Sequence, residues 1–549
     1  MTDSWRPPDV STEGAEQLAG QRVLSGAEAL AWGVTAAQVG LMTGYPGSPA
    51  TSVYDAVVAR GDASCRACWA PNEKVALEMA IGASLGGTRS LVVLKSVGLN
   101  VALDPLATVS YSGCHAGLVI LLGDDPGGWG SQNEQDSRWL ALAAEVPLVE
   151  PIEVASAASF MVQAFAWSEA IGLPVIVRVT ASLLSRRETV LAPWEPPASH
   201  KRFAYKENRW VVLPATVVPR RRALHRKLRQ MSRSLEASPY DRATVNTPRG
   251  VIAVGAAYPK LGAVLSDPDA YSVLGLASVH PLPEEALKLW LRHCQQVLVL
   301  EEGGPFVEQA LRALVERLRL SVHILGRQNG VVPEEGELSA GDIEAALRLL
   351  APEQQGTGAS ALRRELPSAA QLCEGCLYAP LFAALSSAVG RAGGRRHFLL
   401  VGETGCMVRA HEVEGLALDV KLSLGASLGL AMGLASTQDR QRVVALVGDS
   451  CLFHSEINGL PLAVELGLDL TVIILNNGVT GLTGGQPYPG AMAGGTSQRI
   501  VAVCAACGAT PVAVAATEAD ALNDALTAAL AEPGLQVVVV DAPCVRYRR

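Results

Sequence analysis

The feature that most constrains this chain is a recurring pattern of short, unbroken apolar runs separated by stretches of helical spacing. Such runs occupy residues 90–94, 117–122, 173–178, 250–255, 296–301, 397–401, 442–447, 470–475 and 535–540. Consecutive Val, Ile and Leu without polar alternation suit strands covered on both faces, as in a parallel sheet between helix layers. Intervening segments supply the covering helices; Ala27, Leu30, Val34 and Ala37, for example, fall at helical spacing before the turn Gly44-Tyr45-Pro46-Gly47. The alternation predicts an α/β fold of mostly parallel sheets, whose ligands gather at the carboxyl ends of strands. The chemistry is therefore sought where these runs stop.

At 549 residues the chain exceeds one hydrophobic core, and length alone suggests roughly three or four domains. The pattern divides it into an N-terminal extension (1–20), a first α/β domain (21–195), a connector rich in Pro, Trp and charge (196–247), a smaller α/β domain (248–351), a Gly/Ser/Thr linker (352–368) and a last α/β domain (369–549). Within the connector, residues 220–233 form a basic amphipathic segment with Leu224, Leu228 and Met231 on one face. It reads as a docked helix with a solvated cationic face, or alternatively as a phosphate-binding element.

A net charge of −8 argues against a general nucleic-acid binder. No export or transit signal is visible at the start, and apolar stretches such as 422–435 are Gly/Ser-broken and short of a membrane span. A cytoplasmic location without membrane contact is expected. Eleven cysteines in such a compartment do not form a disulfide framework, so they are core residues, metal ligands or both.

The most informative strand end is Gly448-Asp449-Ser450, followed at the next strand end by Asn476-Asn477-Gly478-Val479. Asn477 stands 28 positions beyond Asp449, room for a helix and a parallel return strand. A carboxylate beside an amide suits a hard divalent cation that also takes phosphate oxygens. A helix cap followed by a plain turn would read the same over this segment alone. The layout resembles the thiamine-diphosphate motif, with Ser450 in place of the usual third glycine. That resemblance assigns Asp449, the Asn477 side chain and the Val479 carbonyl to Mg2+, with Gly448 and Ser450 beside the diphosphate.

Thiamine diphosphate becomes reactive when a carboxyl group hydrogen-bonds its aminopyrimidine ring, usually from a second domain. Glu73, opening an otherwise apolar helix in Asn72-Glu73-Lys74-Val75-Ala76, is the candidate; Glu78 competes one turn later. A helix N-terminal carboxylate is also commonly a cap or dipole partner.

Seven collinear blocks then resemble the catalytic alpha subunit of the indolepyruvate:ferredoxin oxidoreductases, from about residue 20 to the end. They are Tyr45-Pro46-Gly47-Ser48-Pro49, Asn72–Ala76, Val97–Val101, Ser131–Arg138, Cys373-Glu374-Gly375-Cys376, Thr404-Gly405-Cys406 and Gly484–Gly490. The resemblance implies two thiamine-diphosphate-binding-type domains, an aminopyrimidine-binding one (21–195) and a diphosphate-binding one (369–549), flanking a transketolase C-terminal-like domain. It implies oxidative decarboxylation of a 2-oxoacid to an acyl-coenzyme A. It further places Tyr45, Pro46 and Gly47 beside the cofactor, and Ser48, Ser131, Gln132, Asn133 and Arg138 among the substrate candidates, although each of the last five could equally cap a helix in a loop.

The resemblance also implies one 4Fe–4S cluster held by Cys373, Cys376, Cys406 and Cys544, with Glu374 where proline is usual. Cys504 and Cys507, in an Ala/Val context, read as core thiols, and Cys65 with Cys68 has no comparable support. Relatives commonly continue into a two-cluster ferredoxin module; this sequence ends at Arg549, so a separate ferredoxin or a small gamma-type subunit is expected to take the electrons, in an assembly built on a homodimer. The resemblance makes an aryl pyruvate the family default for the substrate and no more than that, because Lys95-Ser96, Gly128-Trp129 and Tyr488 stand where the aryl-pyruvate type has histidines and change the pocket's acid–base and hydrogen-bond inventory. Competing readings are a non-oxidative thiamine-diphosphate decarboxylase or carboligase, and a non-catalytic partner-binding subunit.

Overall fold

The computed structural model describes residues 21–196, 203, 210–350, 371–412, 418–437, 441–491 and 496–547. The N-terminal extension and the 352–368 linker lie outside the described residues. The chain falls into two compact units, one within Met1–Cys68 and Glu73–Arg364, the other within Trp69–Asn72 and Glu365–Arg549.

The first unit contains three sheets, the smallest an antiparallel pair of Gln21–Ser25 with Arg187–Leu191. A seven-stranded sheet runs in the order Ser278–His280, Leu148–Val149, Val175–Thr180, Leu118–Asp124, Ser90–Lys95, Leu41–Gly44, Arg66–Trp69. Its central strands pair in parallel and are buried along their length, as their unbroken apolar runs require. A five-stranded sheet follows in the order His323–Leu325, Gln296–Leu300, Arg249–Val254, Ser272–Leu276, Arg242–Ala243, parallel except for the last. Ser278–His280, from the middle of the 248–351 segment, pairs antiparallel with Leu148–Val149 and so joins the seven-stranded sheet.

Local sequence explains the helices around these sheets. Gly26–Ala36 starts at a capping box in which the Glu28 N–H donates to Ser25 Oγ (3.2 Å) and the Ser25 N–H to Glu28 Oε2 (2.7 Å). Ala157–Ile171 is buried nearly all round and stops at Gly172, whose φ of 59° suits a residue without Cβ. The basic segment forms the helix Val217–Leu235, burying Leu224, Met231 and Leu235 while Arg222, Arg226, Arg229 and Arg233 are exposed.

The second unit is built on a six-stranded, wholly parallel sheet, ordered Val420–Lys421, Phe398–Gly402, Arg442–Gly448, Leu470–Asn476, Gln536–Asp541, Pro511–Ala515. Helices Tyr378–Arg391 and Ala519–Ala531 contribute to the core on one face, and Ser427–Ala435 and Thr496–Ala506 to that on the other. Cys504 is buried in the second of these cores with Cys507 packed against it, which accounts for that pair as packing thiols. Among the described residues no helix is long and apolar enough to cross a membrane.

Candidate functional site

In the second unit the strand Arg442–Gly448 delivers Asp449 to the first position of a short helix, and Leu470–Asn476 ends beside it. The pairing of Gly448 with Leu475 brings the two ends together. Asp449 Oδ2 accepts the N–H of Asn477 (3.0 Å), the N–H of Gly478 (2.7 Å) and the Tyr488 hydroxyl (2.8 Å), while Oδ1, among the described residues, accepts only the Ser450 N–H (2.8 Å). Burial pushes the carboxyl up to about 6 against these donors. No Lys, Arg or His pairs with it among the described residues, so a desolvated acid lacks a cation, and Oδ1 keeps lone-pair capacity for one. The Asn477 amide oxygen accepts the Val479 N–H (2.9 Å), retaining its second lone pair. This donor set would suit a hard divalent cation that also takes phosphate oxygens.

Two residues that the motif reading does not single out hold this junction. Glu403, fully buried at the end of Phe398–Gly402, accepts the N–H of Gly448 (2.6 Å) and of Gly425 (2.8 Å). Burial and then the neighbouring Glu456 raise its carboxyl well above the ordinary range. Tyr378 accepts Asn477 Nδ2–H at 3.0 Å. Glu403 carries the same sequence signal as Asp449, a carboxylate ending an apolar strand; Tyr378 carries none beyond its place two residues after Cys376. Asn72, which clusters with this unit, donates its side-chain N–H to the His454 carbonyl (2.9 Å).

The four cysteines of the expected cluster are free and partly buried. Burial pushes Cys406 up to about 11, and Cys376, Cys544 and Cys373 add to the rise against Arg409. Cys376 is raised too, by burial first, with Cys373 and Cys544 contributing. An Arg409 N–H points at Cys373 Sγ at 3.6 Å. The thiols therefore lie within electrostatic reach of one another, and their soft-donor chemistry fits an iron–sulfur centre. Among the described residues no three Cys, His, Asp or Glu side chains are arranged to hold a metal ion.

In the first unit the two carboxylate candidates separate clearly. Glu73 opens the helix Glu73–Leu85 and is buried; a Cβ on Gly98 would meet its Oε1 at 2.6 Å. Glu78 faces solvent in an ion pair with Lys74. Tyr45, Pro46 and Gly47 are buried, the Gly47 N–H donating to Thr51 Oγ1 (2.7 Å), while Ser48 is exposed. Ser131 donates its hydroxyl to Asp125 (2.6 Å), and Gln132 and Asn133 are exposed beyond it. Lys95 Nζ donates to the Gly130 carbonyl (2.7 Å).

Arg138 requires a correction. It is wholly buried, and its guanidinium donates to Asp136, to Glu301 Oε2 (2.6 Å) and to the carbonyls of Glu302 (3.0 Å) and Gly304 (2.8 Å). Arg178 extends the network to Asp124 (2.7 Å) and Glu150 (2.9 Å). Against its burial, Asp136 is held down to about 2 by the Arg138 guanidinium. With its donors spent inside the unit, Arg138 is a structural cation tying strand-end loops together and is not offered to a substrate. A cavity of about 930 Å3, bordered by Asp241, Arg242, Tyr258 and Trp290, contains none of the candidate residues.

Residues 32–253 match the family described as pyruvate flavodoxin/ferredoxin oxidoreductase, thiamine diphosphate-binding, and residues 403–540 match the thiamine pyrophosphate enzyme C-terminal binding domain. The indolepyruvate oxidoreductase subunit IorA of Archaeoglobus fulgidus is 32% identical, covering 96% of this chain and 87% of its own. Those of Methanothermobacter marburgensis (32%; 87% and 79%) and Pyrococcus abyssi (31%; 96% and 86%) are similar. A solved 2-oxoglutarate:ferredoxin oxidoreductase from Magnetococcus marinus aligns at TM-score 0.46 and 15% identity over 56% of this chain and 62% of that one, too loosely to carry an argument. The strand-end junction, the two thiamine-diphosphate family matches and the near-full-length relatives lead to one conclusion: the chain belongs to the indolepyruvate oxidoreductase alpha subunits, within the thiamine-diphosphate-dependent 2-oxoacid oxidoreductases.

Proposed function

We propose that this chain oxidatively decarboxylates a 2-oxoacid, an aryl pyruvate such as indolepyruvate, with coenzyme A as acyl acceptor and electrons leaving through one 4Fe–4S cluster to ferredoxin or a partner subunit. The observation that carries the reading is the buried Asp449 carboxylate, held by the backbone of Asn477 and Gly478 and without a Lys, Arg or His partner among the described residues. Asp449, Asn477 and the Val479 carbonyl would hold Mg2+, with Gly448 and Ser450 assigned to the diphosphate, and Tyr45, Pro46 and Gly47 would serve the organic part of the cofactor. Bound thiamine diphosphate supplies the electron sink through which a 2-oxoacid loses carbon dioxide.

Glu73 would hydrogen-bond the aminopyrimidine ring; its burial favours that role over Glu78, which faces solvent in an ion pair with Lys74. Ser48 offers an exposed hydroxyl to the substrate carboxylate or oxo group, with Ser131, Gln132 and Asn133 as further polar candidates. Tyr488, at a replaced histidine position, spends its hydroxyl on Asp449 and so serves the metal turn rather than the substrate. Cys373, Cys376, Cys406 and Cys544 would ligate the cluster and pass single electrons. The working assembly is a homodimer joined by a small gamma-type subunit, in keeping with relatives that are named as subunits.

The test separates anchoring from activation. Asp449→Ala is expected to abolish thiamine-diphosphate binding in calorimetric titration, whereas Glu73→Gln is expected to bind the cofactor and lose turnover by about 10²-fold or more. Normal turnover in Glu73→Gln would remove Glu73 from the mechanism.

A further inference from the structure

We propose that Tyr378 is a positioning residue that joins the cysteine loop to the Asn477 turn and fixes which way the Asn477 side-chain amide faces. The inference rests on the reading of Asn477 as a ligand of the cation. Tyr378 opens the helix Tyr378–Arg391 and is buried. Its hydroxyl donates to the Leu475 carbonyl (3.3 Å) and accepts from Asn477 Nδ2 (3.0 Å). A phenol has one proton. With that proton committed to Leu475, only a lone pair faces Asn477, and only the amide nitrogen can meet it.

On the other side of the amide the Val479 N–H donates to Asn477 Oδ1 (2.9 Å). Rotating the amide by half a turn would set donor against donor at Val479 and acceptor against acceptor at Tyr378. The oxygen is therefore fixed on the Val479 side, within the turn whose N–H groups hold Asp449. Phenylalanine at 378 could keep the edge-on contact with Phe382, but it would lack the one atom that decides the orientation.

The same residue reaches the cysteines. The Tyr378 N–H donates to the Cys376 sulfur. The Asn477 carbonyl accepts the Cys544 N–H (3.1 Å). A Cβ on Gly481 would lie 3.1 Å from Cys406 Sγ and 3.8 Å from Asn477 Nδ2. The turn that presents the amide thus borders Cys376, Cys406 and Cys544, so order in the cysteine loops is transmitted to the cation turn through Tyr378 and Asn477.

The experiment is calorimetric titration of thiamine diphosphate with Mg2+ into the full chain as wild type, Tyr378→Phe, Asn477→Ala and the double variant, with denaturation midpoints recorded for each. Tyr378→Phe is expected to weaken binding about tenfold, and the double variant to bind no worse than Asn477→Ala, because one residue acts through the other. Binding within twofold of wild type in Tyr378→Phe, or losses that simply add, would overturn the proposal. Wild-type binding by Asn477→Ala would overturn it by a different route, placing the fault in the reading of Asn477. Gly481→Ala leaves the Tyr378 packing intact and presses on Cys406; it is expected to weaken binding at least threefold, and unchanged binding would break the link to the cysteines.

Discussion

At the scale of single residues, burial separates groups that look alike in sequence. Arg138 sits in a polar loop and reads as a substrate contact, yet its decisive partner Glu301 lies 163 positions away, a distance no local pattern can span. Removing one member of a buried ion network leaves the others uncompensated. Arg138→Ala is therefore expected to lower the unfolding free energy by about 3–5 kcal/mol in chemical denaturation; undiminished stability with a raised KM would restore the substrate role. Asp241 is a second case. Burial pushes it up to about 6 despite the N–H groups of Ala277 and Ser278, so the folded chain binds its proton more tightly than the unfolded chain. Stability then falls as pH rises from the ordinary carboxylate range to about 6, with a slope of at most about 1.4 kcal/mol per pH increment of one, and levels off above. Asp241→Asn is expected to flatten that window in melting curves taken against pH, and an unchanged profile would contradict the assignment.

At the scale of elements, much of the fold is legible in the sequence because the strands are covered on both faces and carry an unbroken apolar signal. The nine runs form strands whose ends differ by a residue or two from the sequence reading. Leu41–Gly44 escapes that reading, being short and ending in the Gly-Tyr-Pro turn. The antiparallel pair Gln21–Ser25 and Arg187–Leu191 escapes it too, since its residues are mostly exposed and polar. The strand swap of Ser278–His280 depends on tertiary pairing alone. Candidate sites at strand ends are readable for the same reason as the strands: Asp449 and Asn477 interrupt apolar runs. The Glu73 environment is not, because the short helix Ser96–Val101 meets it through Gly98. Gly98→Ala would place a methyl within 2.6 Å of Glu73 Oε1 and is expected to cut turnover at least tenfold while the chain remains folded by circular dichroism; normal turnover would mean that the carboxyl can move without consequence.

At the scale of the whole molecule, the chain carries both thiamine-diphosphate family matches, and their candidate residues are divided between its two compact units. The cysteine group sits in the unit that carries Asp449, which places the proposed electron exit at the diphosphate-binding end of the chain. Lys95 and Tyr488 spend their polar atoms on the Gly130 carbonyl and on Asp449. The most direct test is anaerobic turnover of indolepyruvate by the reconstituted chain, with the proposed gamma-type subunit, thiamine diphosphate, Mg2+ and coenzyme A, following both carbon dioxide release and reduction of a viologen dye. About two electrons are expected to reach the dye per carbon dioxide, with turnover abolished in Glu73→Gln and dye reduction lost in Cys544→Ser. Carbon dioxide released without dye reduction would instead identify a non-oxidative decarboxylase and contradict the central claim.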